Sequence, residues 1–456
     1  MKSESKKIFS GAAILGAGAF IAKLLGAIYR VPLTAIIGSD GLGLYQMVFP
    51  VYVVLLEFSG AGVPGALSKI VANDKADALR ARNYLKTALK FFSVLGLVFT
   101  VLTAVFSEKI AELQGDGRAA YLYLAISPSV FFVCLISCFR GYFQGLMNMT
   151  PTAVSQIVEQ TVKLICGLIF SHIFMPDITL AAAGAALAVT ISEAAAFIWL
   201  FLCYKKSVKK YPLSFAAERK GANGKRLKKI VGSVIPVTLV GVVLPLSQVA
   251  DSFIIINSVM NYSDRATALF GVFSGVAMTV INLPVSVCYG VAVTAIPSVS
   301  GAKSRDESVK NSKKCLLFTL ALSVPAAAAC FIFAPLVVRL LFSGLNSGDA
   351  ETAINLIKIL SVNVVAASLL QTVNAVLIGR NKLYAPTVGM AAGVAVKTVL
   401  LVLLVREPRI NVYGGAAALI ACYFVANLLN FILAFTIKKR KESYGSKISR
   451  VGENDC

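Results

Sequence analysis

Long apolar stretches dominate this chain of 456 residues, in which 57% of the residues are hydrophobic and 14% are charged. Soluble proteins average about 25% charged residues. A helix of about 20 apolar residues spans the hydrocarbon core of a bilayer, and the chain offers about twelve such stretches. We therefore predict an all-α, multi-pass membrane protein. The predicted spans are residues 8–31, 43–66, 87–107, 119–143, 151–174, 179–203, 230–257, 268–297, 315–341, 352–378, 383–405 and 412–437. The second and eighth spans are long and contain Gly and Pro, so we expect them to bend or split.

The basic residues between these spans predict the orientation of the chain. With the N-terminus placed in the cytoplasm, 33 of the 44 Lys and Arg residues fall on the cytoplasmic side. Cytoplasmic segments of membrane proteins carry such an excess of Lys and Arg. We predict a protein of the cytoplasmic membrane with both termini inside the cell. The net charge of +22 then follows from the topology, and the basic residues can contact membrane lipid. We expect no nucleic-acid partner.

Weak internal similarity divides the chain into halves. Gly62-Val-Pro-Gly resembles Gly290-Val-Ala-Val, and Pro151-Thr-Ala-Val resembles Pro386-Thr-Val-Gly. Six helices per half give both halves the same orientation, with a pseudo-two-fold axis along the membrane normal. We predict two six-helix lobes, at 1–204 and 230–437, joined by a basic linker at 205–229 and followed by a basic tail at 438–456.

The motifs of soluble enzymes are missing from the sequence. There is no phosphate-binding G-x-x-x-x-G-K-[ST] loop, no G-x-S-x-G and no H-E-x-x-H. The single histidine, His172, and nine scattered cysteines do not form a Cys/His metal site. We expect neither enzymatic activity, nor a cofactor, nor a bound metal. We expect the energy for transport to come from an ion gradient, the membrane potential or the gradient of the substrate.

Charged residues inside the predicted spans are the candidate functional residues, because a charge in the bilayer is costly and needs a partner or a function. Lys23 and Arg30 lie two turns apart on one face of the first helix. Such a pair suggests an anionic ligand. Alternatively, Arg30 reaches the membrane interface and Lys23 pairs with Glu57 or Asp251.

Further cations and acids extend this set. Lys163 follows Glu159 by one turn, which fits either a self-satisfied pair or the wall of a polar cavity. Lys397 occupies nearly the same place in the second half, and Arg140 lies at an inner helix end, as a cavity or anchor residue. Asp251, a lone carboxylate in its span, and Glu57 are candidates for coupling to H⁺ or Na⁺.

Four sequence segments carry a family resemblance. Leu24-Leu-Gly-Ala-Ile-Tyr-Arg, Gly41-Leu-Gly-Leu-Tyr-Gln and Arg140-Gly-Tyr-Phe-Gln-Gly-Leu-Met-Asn resemble the stage V sporulation protein B branch of the multidrug/oligosaccharidyl-lipid/polysaccharide (MOP) exporter superfamily. Asn282-Leu-Pro-Val-Ser resembles the MurJ-type lipid II flippases of the same superfamily. The similarity extends over about residues 8–437.

The resemblance implies a MATE/MurJ-like fold and a flippase that works by alternating access. Its cargo would be an undecaprenyl-pyrophosphate-linked saccharide, such as lipid II or a polysaccharide precursor, bound by Lys23 and Arg30 with Arg140, Lys163 and Lys397 assisting. Lys23 occupies a position where arginine is usual in this family. A lysine cannot make the bidentate contact with a phosphate that an arginine makes. Lipid II flippases commonly have fourteen helices, whereas twelve are predicted here. Alternatives are an ion-coupled multidrug exporter of the MATE type and a non-transporting scaffold.

Overall fold

A computed structural model describes residues 2–73, 78–210, 222–302, 304–382 and 384–436, and the regular elements in these ranges are all helical. The predicted tail at 438–456 and part of the predicted linker, 211–221, lie outside the described residues. The helices are α1 (Lys2–Leu56), α2 (Gly62–Asn73), α3 (Ala78–Val105), α4 (Ser107–Gln114), α5 (Ala119–Gly145), α6 (Thr150–Ile173), α7 (Ile178–Lys210), α8 (Ala222–Gly241), α9 (Val243–Val259), α10 (Ala266–Phe270), α11 (Met278–Ser300), α12 (Arg305–Leu341), α13 (Ser347–Gly379), α14 (Ala385–Val405) and α15 (Tyr413–Thr436). Two π-helical segments, π1 (Glu57–Ala61) and π2 (Gly271–Ala277), complete the set.

The all-α membrane fold predicted from the sequence is confirmed. Ten helical segments of the described chain are long and apolar enough to cross a membrane. The first of these, Leu24–Ala72, has 49 residues and a kink, so it is long enough to cross twice. Together α8 and α9 provide one more crossing, since only Val242 separates them. The described ranges therefore accommodate the twelve predicted crossings.

The kink in α1 lies at Gly38, whose backbone angles are φ 64° and ψ −169°. Residues with a Cβ essentially do not adopt this conformation. The helix reverses its course at Gly38, which places the first and second crossings side by side. We call this end of the helix bundle the Gly38 end.

Three crossings are interrupted, two of them as predicted. The predicted second span contains π1, and the predicted eighth span contains π2 between α10 and α11. The break at Val242 in the seventh span was not predicted. Pro245 explains it, because proline has no N–H to donate to the carbonyl of Gly241 and its ring collides with that carbonyl.

Two elements differ from the sequence-based boundaries. Helix α12 starts at Arg305, ten residues before the predicted 315, because the Ser304 hydroxyl accepts a hydrogen bond (3.1 Å) from the backbone N–H of Glu307. A Ser followed three residues later by Glu is the sequence signature of a capping box. Helix α4 was not predicted, because its eight residues are too short to register as a span.

The two halves of the chain share a continuous hydrophobic core near the Gly38 end. Leu33 and Leu42 of α1 belong to the same buried cluster as Ile255 of α9 and Val276 of π2. Small residues allow this contact. A Cβ on Gly43 would overlap the carbonyl oxygen of Thr267, so the two backbones approach as closely as glycine permits.

Polar side chains also bridge the halves at the Gly38 end, and we call them the inter-half network. The hydroxyl of Ser39 donates to Asp349 (2.5 Å), whose carboxylate also accepts from Arg265 (2.7 Å). Nearby, Arg118 forms ion pairs with Asp40 (2.6 Å) and Asp116 (2.7 Å). Asp116 in turn accepts a hydrogen bond (2.7 Å) from Thr267. The network members are Ser39, Asp40, Asp116, Arg118, Arg265, Thr267 and Asp349.

Away from the Gly38 end, the buried clusters are separate. One combines α2, α3 and α5 with Ile230 and Val234 of α8, and two small ones involve helices of the second half only. Helix α8 therefore packs on helices of the first half, and the predicted boundary at residue 230 falls within it. The division into two lobes at 204 and 230 stays a prediction.

Candidate substrate cavity

A polar cavity of about 240 Å³ lies between the two halves. Helix α1 forms one wall, and α9, π2, α11, α14 and α15 form the others. Aromatic and aliphatic side chains such as Phe49, Met390 and Tyr423 separate the polar ones. The polar lining residues are Arg30, Gln46, Ser247, Gln248, Asp251, Ser274, Asn282 and Lys397.

Arg30 projects into this cavity and not toward the membrane interface. Its guanidinium donates a hydrogen bond to the hydroxyl of Thr279, at the start of α11. Within the described ranges no carboxylate pairs with Arg30. The guanidinium has five N–H donors, and among the described contacts it donates to Thr279 alone. This geometry favours the anion-binding interpretation of Arg30 over the interfacial one.

Asp251 is not the lone carboxylate that the sequence suggested. Its Oδ2 forms an ion pair (2.8 Å) with Nζ of Lys397, which also donates to the hydroxyl of Ser247. Lys397 is only 4% exposed, and its positive charge is balanced by Asp251. A pairing of Asp251 with Lys23, one alternative from the sequence, stays a prediction, because the Lys23 side chain lies outside the described residues. The other carboxylate oxygen, Oδ1, is buried without a hydrogen-bond partner in the described part of the chain.

Lys163 lies one layer behind the cavity wall. Its ammonium group is 5.5 Å from the ring centre of Phe49, a lining residue, and 5.7 Å from that of Tyr29. These distances are typical of cation–π contacts. The structure describes no ion pair between Lys163 and Glu159, so the self-satisfied pair is wrong.

Arg140 lies apart from the cavity. Its guanidinium forms an ion pair with Glu159 (2.9 Å) and donates to Ser155 (3.0 Å), both on α6. Glu159, which the sequence placed either in a pair with Lys163 or in a cavity wall, is therefore the partner of Arg140. This contact ties α5 to α6, and the charge of Arg140 is balanced.

The two remaining candidates are Glu57 and Lys23. Glu57 opens π1, and its carboxylate lies against Gly241, where a Cβ would collide with it. It is not among the cavity-lining residues and touches the chain at the break between α8 and α9. Lys23 belongs to α1, but its side chain lies outside the described residues.

The residues 8–303 match the family model described as polysaccharide biosynthesis protein. This range covers more than half of the chain. The chain belongs to the polysaccharide biosynthesis protein family.

Two relatives of this family member are similar over most of their lengths. Stage V sporulation protein B of Bacillus subtilis (strain 168) is 30% identical over 444 residues, which cover 94% of this chain and 83% of the relative. Lipid II flippase MurJ of the same organism is 25% identical over 472 residues, which cover 97% and 85%. The resemblance inferred from the sequence segments is thus confirmed.

Solved structures show the same fold. An inward-facing MATE-family multidrug transporter of the MOP superfamily has a TM-score of 0.75 at 14% identity, covering 90% of this chain and 93% of its own. Lipid II flippase MurJ in an inward closed conformation has a TM-score of 0.73 at 15% identity, covering 93% and 88%. This polysaccharide biosynthesis family member therefore has the multi-pass membrane fold of these two transporters.

Sequence reasoning missed several residues of the cavity. Gln46 is 4% exposed and donates to the carbonyl of Ser274 (2.9 Å), across the two halves. Ser247 and Thr279 hold the two cavity cations. A search for charges inside apolar spans finds Arg30, Asp251 and Lys397, but uncharged residues give no such signal. Asn282 was visible only as part of a family-like segment.

Proposed function

We propose that this protein moves an undecaprenyl-pyrophosphate-linked saccharide across the cytoplasmic membrane by alternating access. The observation that carries the proposal is Arg30, a cation without an acidic partner in the described chain, in a cavity between the two halves. A pyrophosphate is the anion expected in a membrane transporter of this family. The serine, glutamine and asparagine side chains of the cavity supply hydrogen bonds suited to a sugar.

The charge balance of the cavity favours an anionic cargo. The charges of Lys397 and Asp251 cancel. The charge of Arg30 therefore makes the cavity lining net positive. A multidrug exporter that binds organic cations needs a free acid, and the acid that lines this cavity is already paired with a lysine. The name of the relative MurJ, a lipid II flippase, supports the same class of cargo.

In this proposal, Asp251 couples cargo binding to an ion. A proton or Na⁺ on the Asp251 carboxylate would weaken its attraction for Lys397, and the released ammonium could then join Arg30 on the pyrophosphate. The buried Oδ1, which has no hydrogen-bond partner in the described part of the chain, gives the ion an oxygen to bind. Glu57 is the second coupling candidate, because it lies at the break between α8 and α9. Lys163 would approach the cargo when Phe49 moves.

The cavity must enlarge during the cycle. At about 240 Å³ it is smaller than the 300–1,000 Å³ of typical ligand sites. It has room for a phosphate-bearing headgroup portion, while the prenyl chain remains in the lipid. Both termini are proposed to face the cytoplasm, so the Gly38 end faces outward.

Arg30→Glu tests this proposal. Losing a charged hydrogen-bond donor and adding a like charge should weaken binding of a prenyl-pyrophosphate-linked saccharide by at least about tenfold. Native mass spectrometry of the purified protein would measure bound lipid, and proteoliposomes would measure flipping. Arg339→Glu, at an exposed arginine of α12, is the matched control and should behave as wild type. Full binding and flipping by Arg30→Glu would refute the anion site at Arg30. No saccharide binding or flipping by the wild-type protein would refute the proposed function and favour a scaffold or an exporter of other cargo.

A further inference from the structure

An apolar groove of about 660 Å³ lies on the outside of the second half, between α12, α13 and α15. Leu317 and Phe424 on its walls are 65% and 66% exposed. Apart from Lys313 and Asn427, the lining residues are all apolar. The Asn427 amide donates to the backbone carbonyls of Ala366 and Tyr423 (both 2.8 Å), so it is already engaged. Along its length the groove therefore suits a hydrocarbon chain.

One end of this groove is basic. Lys313 lines it, and no acidic partner of Lys313 is described in the structure. Arg380 donates to the carbonyl of Ala434 (2.6 Å) and to the hydroxyl of Ser312 (3.0 Å), which is next to Lys313. Lys382 donates to the carbonyl of Leu433 (2.5 Å). Three cations thus gather where α12, α13 and α15 meet.

The cations of this basic end repel one another. Burial lowers the pKa of Lys382, and the neighbouring charge of Arg380 lowers it further. An anion placed among Lys313, Arg380 and Lys382 would relieve this repulsion. The groove therefore combines a place for an apolar chain with a place for a negative headgroup.

The groove is separate from the cavity that holds Arg30. Helix α15 stands between them: Leu419 and Tyr423 face the cavity, whereas Phe424 and Asn427 face the groove. A lipid-linked cargo with its pyrophosphate at Arg30 would not place its chain in the groove without crossing this helix. The groove calls for a second ligand.

We propose that this groove binds an anionic phospholipid of the surrounding membrane, with an acyl chain along α12, α13 and α15 and the phosphate at Lys313 and Lys382. Basic sites between transmembrane helices are suited to anionic lipid headgroups. The bound lipid fills the space between three helices of the second half. Because the lipid binds the folded protein, it also stabilises it against unfolding.

Native mass spectrometry with equal amounts of phosphatidylglycerol and phosphatidylcholine tests the headgroup site. The wild-type protein should retain phosphatidylglycerol preferentially. Lys313→Ala should reduce that preference about fivefold, as expected for one lysine near an anionic lipid. Lys314→Ala is the matched control, because Lys314 is an equally exposed neighbour that does not line the groove. An absent preference, or equal effects of the two variants, would overturn the proposal.

A second variant tests the chain site. Val362 lines the groove and is 57% exposed, so Val362→Trp should fill the groove without disturbing the core. It should release the retained phosphatidylglycerol while Arg30-dependent saccharide binding persists. Retention of phosphatidylglycerol would show that the groove is not used. Displacement of phosphatidylglycerol by undecaprenyl phosphate, in a manner that depends on Lys313, would instead assign the groove to the cargo.

Discussion

At the scale of single residues, the ion pair of Lys397 and Asp251 leads to a prediction about the free energy of unfolding. Removing one partner of a buried ion pair leaves an uncompensated charge, which costs about 3–5 kcal/mol. Lys397→Met should therefore lower the free energy of unfolding by about that amount. Thermal or denaturant unfolding of the purified protein in detergent would measure it.

The double variant separates pairing from packing. Asp251→Asn combined with Lys397→Met removes both charges, and such replacements are often neutral for stability. The double variant should recover most of the stability lost in Lys397→Met. It should nevertheless transport poorly, because the proposed coupling acid is gone. If Lys397→Met is as stable as wild type, Asp251 and Lys397 are not paired as the structure has them.

Asp116, in the connection between α4 and α5, predicts a dependence on pH. Burial alone would raise its pKa, but hydrogen bonds from Arg118 and Thr267 outweigh burial and hold the pKa below its ordinary value. A lowered pKa stabilises the folded state above the ordinary aspartate pKa of about 3.9, and this contribution fades as the pH falls through the lowered value.

Asp116→Asn should therefore lower the unfolding temperature at pH 7 and have a shrinking effect as the pH falls below about 3.9. Thermal unfolding across this range provides the measurement. A deficit of constant size at every pH would mean that Asp116 acts through packing and not through its charge. Lys314→Ala, at an exposed lysine distant in sequence, serves as the unrelated control.

The sequence predicted which residues carry charge in the membrane but not which residues they contact. Arg30 was a candidate because placing its charge in a bilayer costs free energy, and it lines the cavity. Asp251 seemed lone because its partner, Lys397, is 146 residues away. Helical spacing allowed a pair between Glu159 and Lys163, yet Glu159 pairs with Arg140 on another helix. Contacts between helices depend on packing, which periodicity along one helix does not encode.

At the scale of helices, Gly43 predicts how the two halves meet. A methyl group at this position would overlap the backbone carbonyl of Thr267, which cannot move aside as a side chain can. Such overpacking costs about 1–3 kcal/mol. Gly43→Ala should thus open the contact between the halves at the Gly38 end.

Cys422 reports that opening, because it is 1% exposed and lines the cavity. A membrane-impermeant thiol reagent applied from the Gly38 side should label Cys422 faster in Gly43→Ala than in wild type, as followed by peptide mass spectrometry. Gly65→Ala is the matched control, since a Cβ there has open space. Equal labelling of the two variants would contradict a close inter-half contact at Gly43.

Helix boundaries were predictable where a local signal sets them. Glycine and proline foretold the interruptions of the second and eighth spans, where π1 and π2 occur. Gly241 and Pro245 indicate the break at Val242, but the length of the apolar stretch alone does not predict it. The early start of α12 was likewise readable from Ser304 and Glu307. Hydropathy finds the part of a helix that lies in lipid, whereas caps and proline set its ends.

At the scale of the whole molecule, the two halves share a polar network and a hydrophobic core at the Gly38 end. Away from that end, helix α8 packs on helices of the first half. The inter-half network and the shared core join the halves at the Gly38 end. Alternating access requires this contact to break in every cycle. Ser39 and Asp349 are suited to test it, because their side chains meet (2.5 Å) and come from opposite halves.

The variant Ser39→Cys/Asp349→Cys should form a disulfide under oxidation that locks the Gly38 end. Transport of the lipid-linked saccharide in proteoliposomes should then stop, while binding measured by native mass spectrometry continues. Reduction should restore transport to the level of the two single-cysteine variants. These variants are the controls for the loss of the Ser39–Asp349 hydrogen bond and of the Arg265 ion pair. Undiminished transport by the cross-linked protein would mean that cargo does not leave through the Gly38 end. In that case the cavity at Arg30 would have to open by another route, and the halves would not rock as rigid units about this contact.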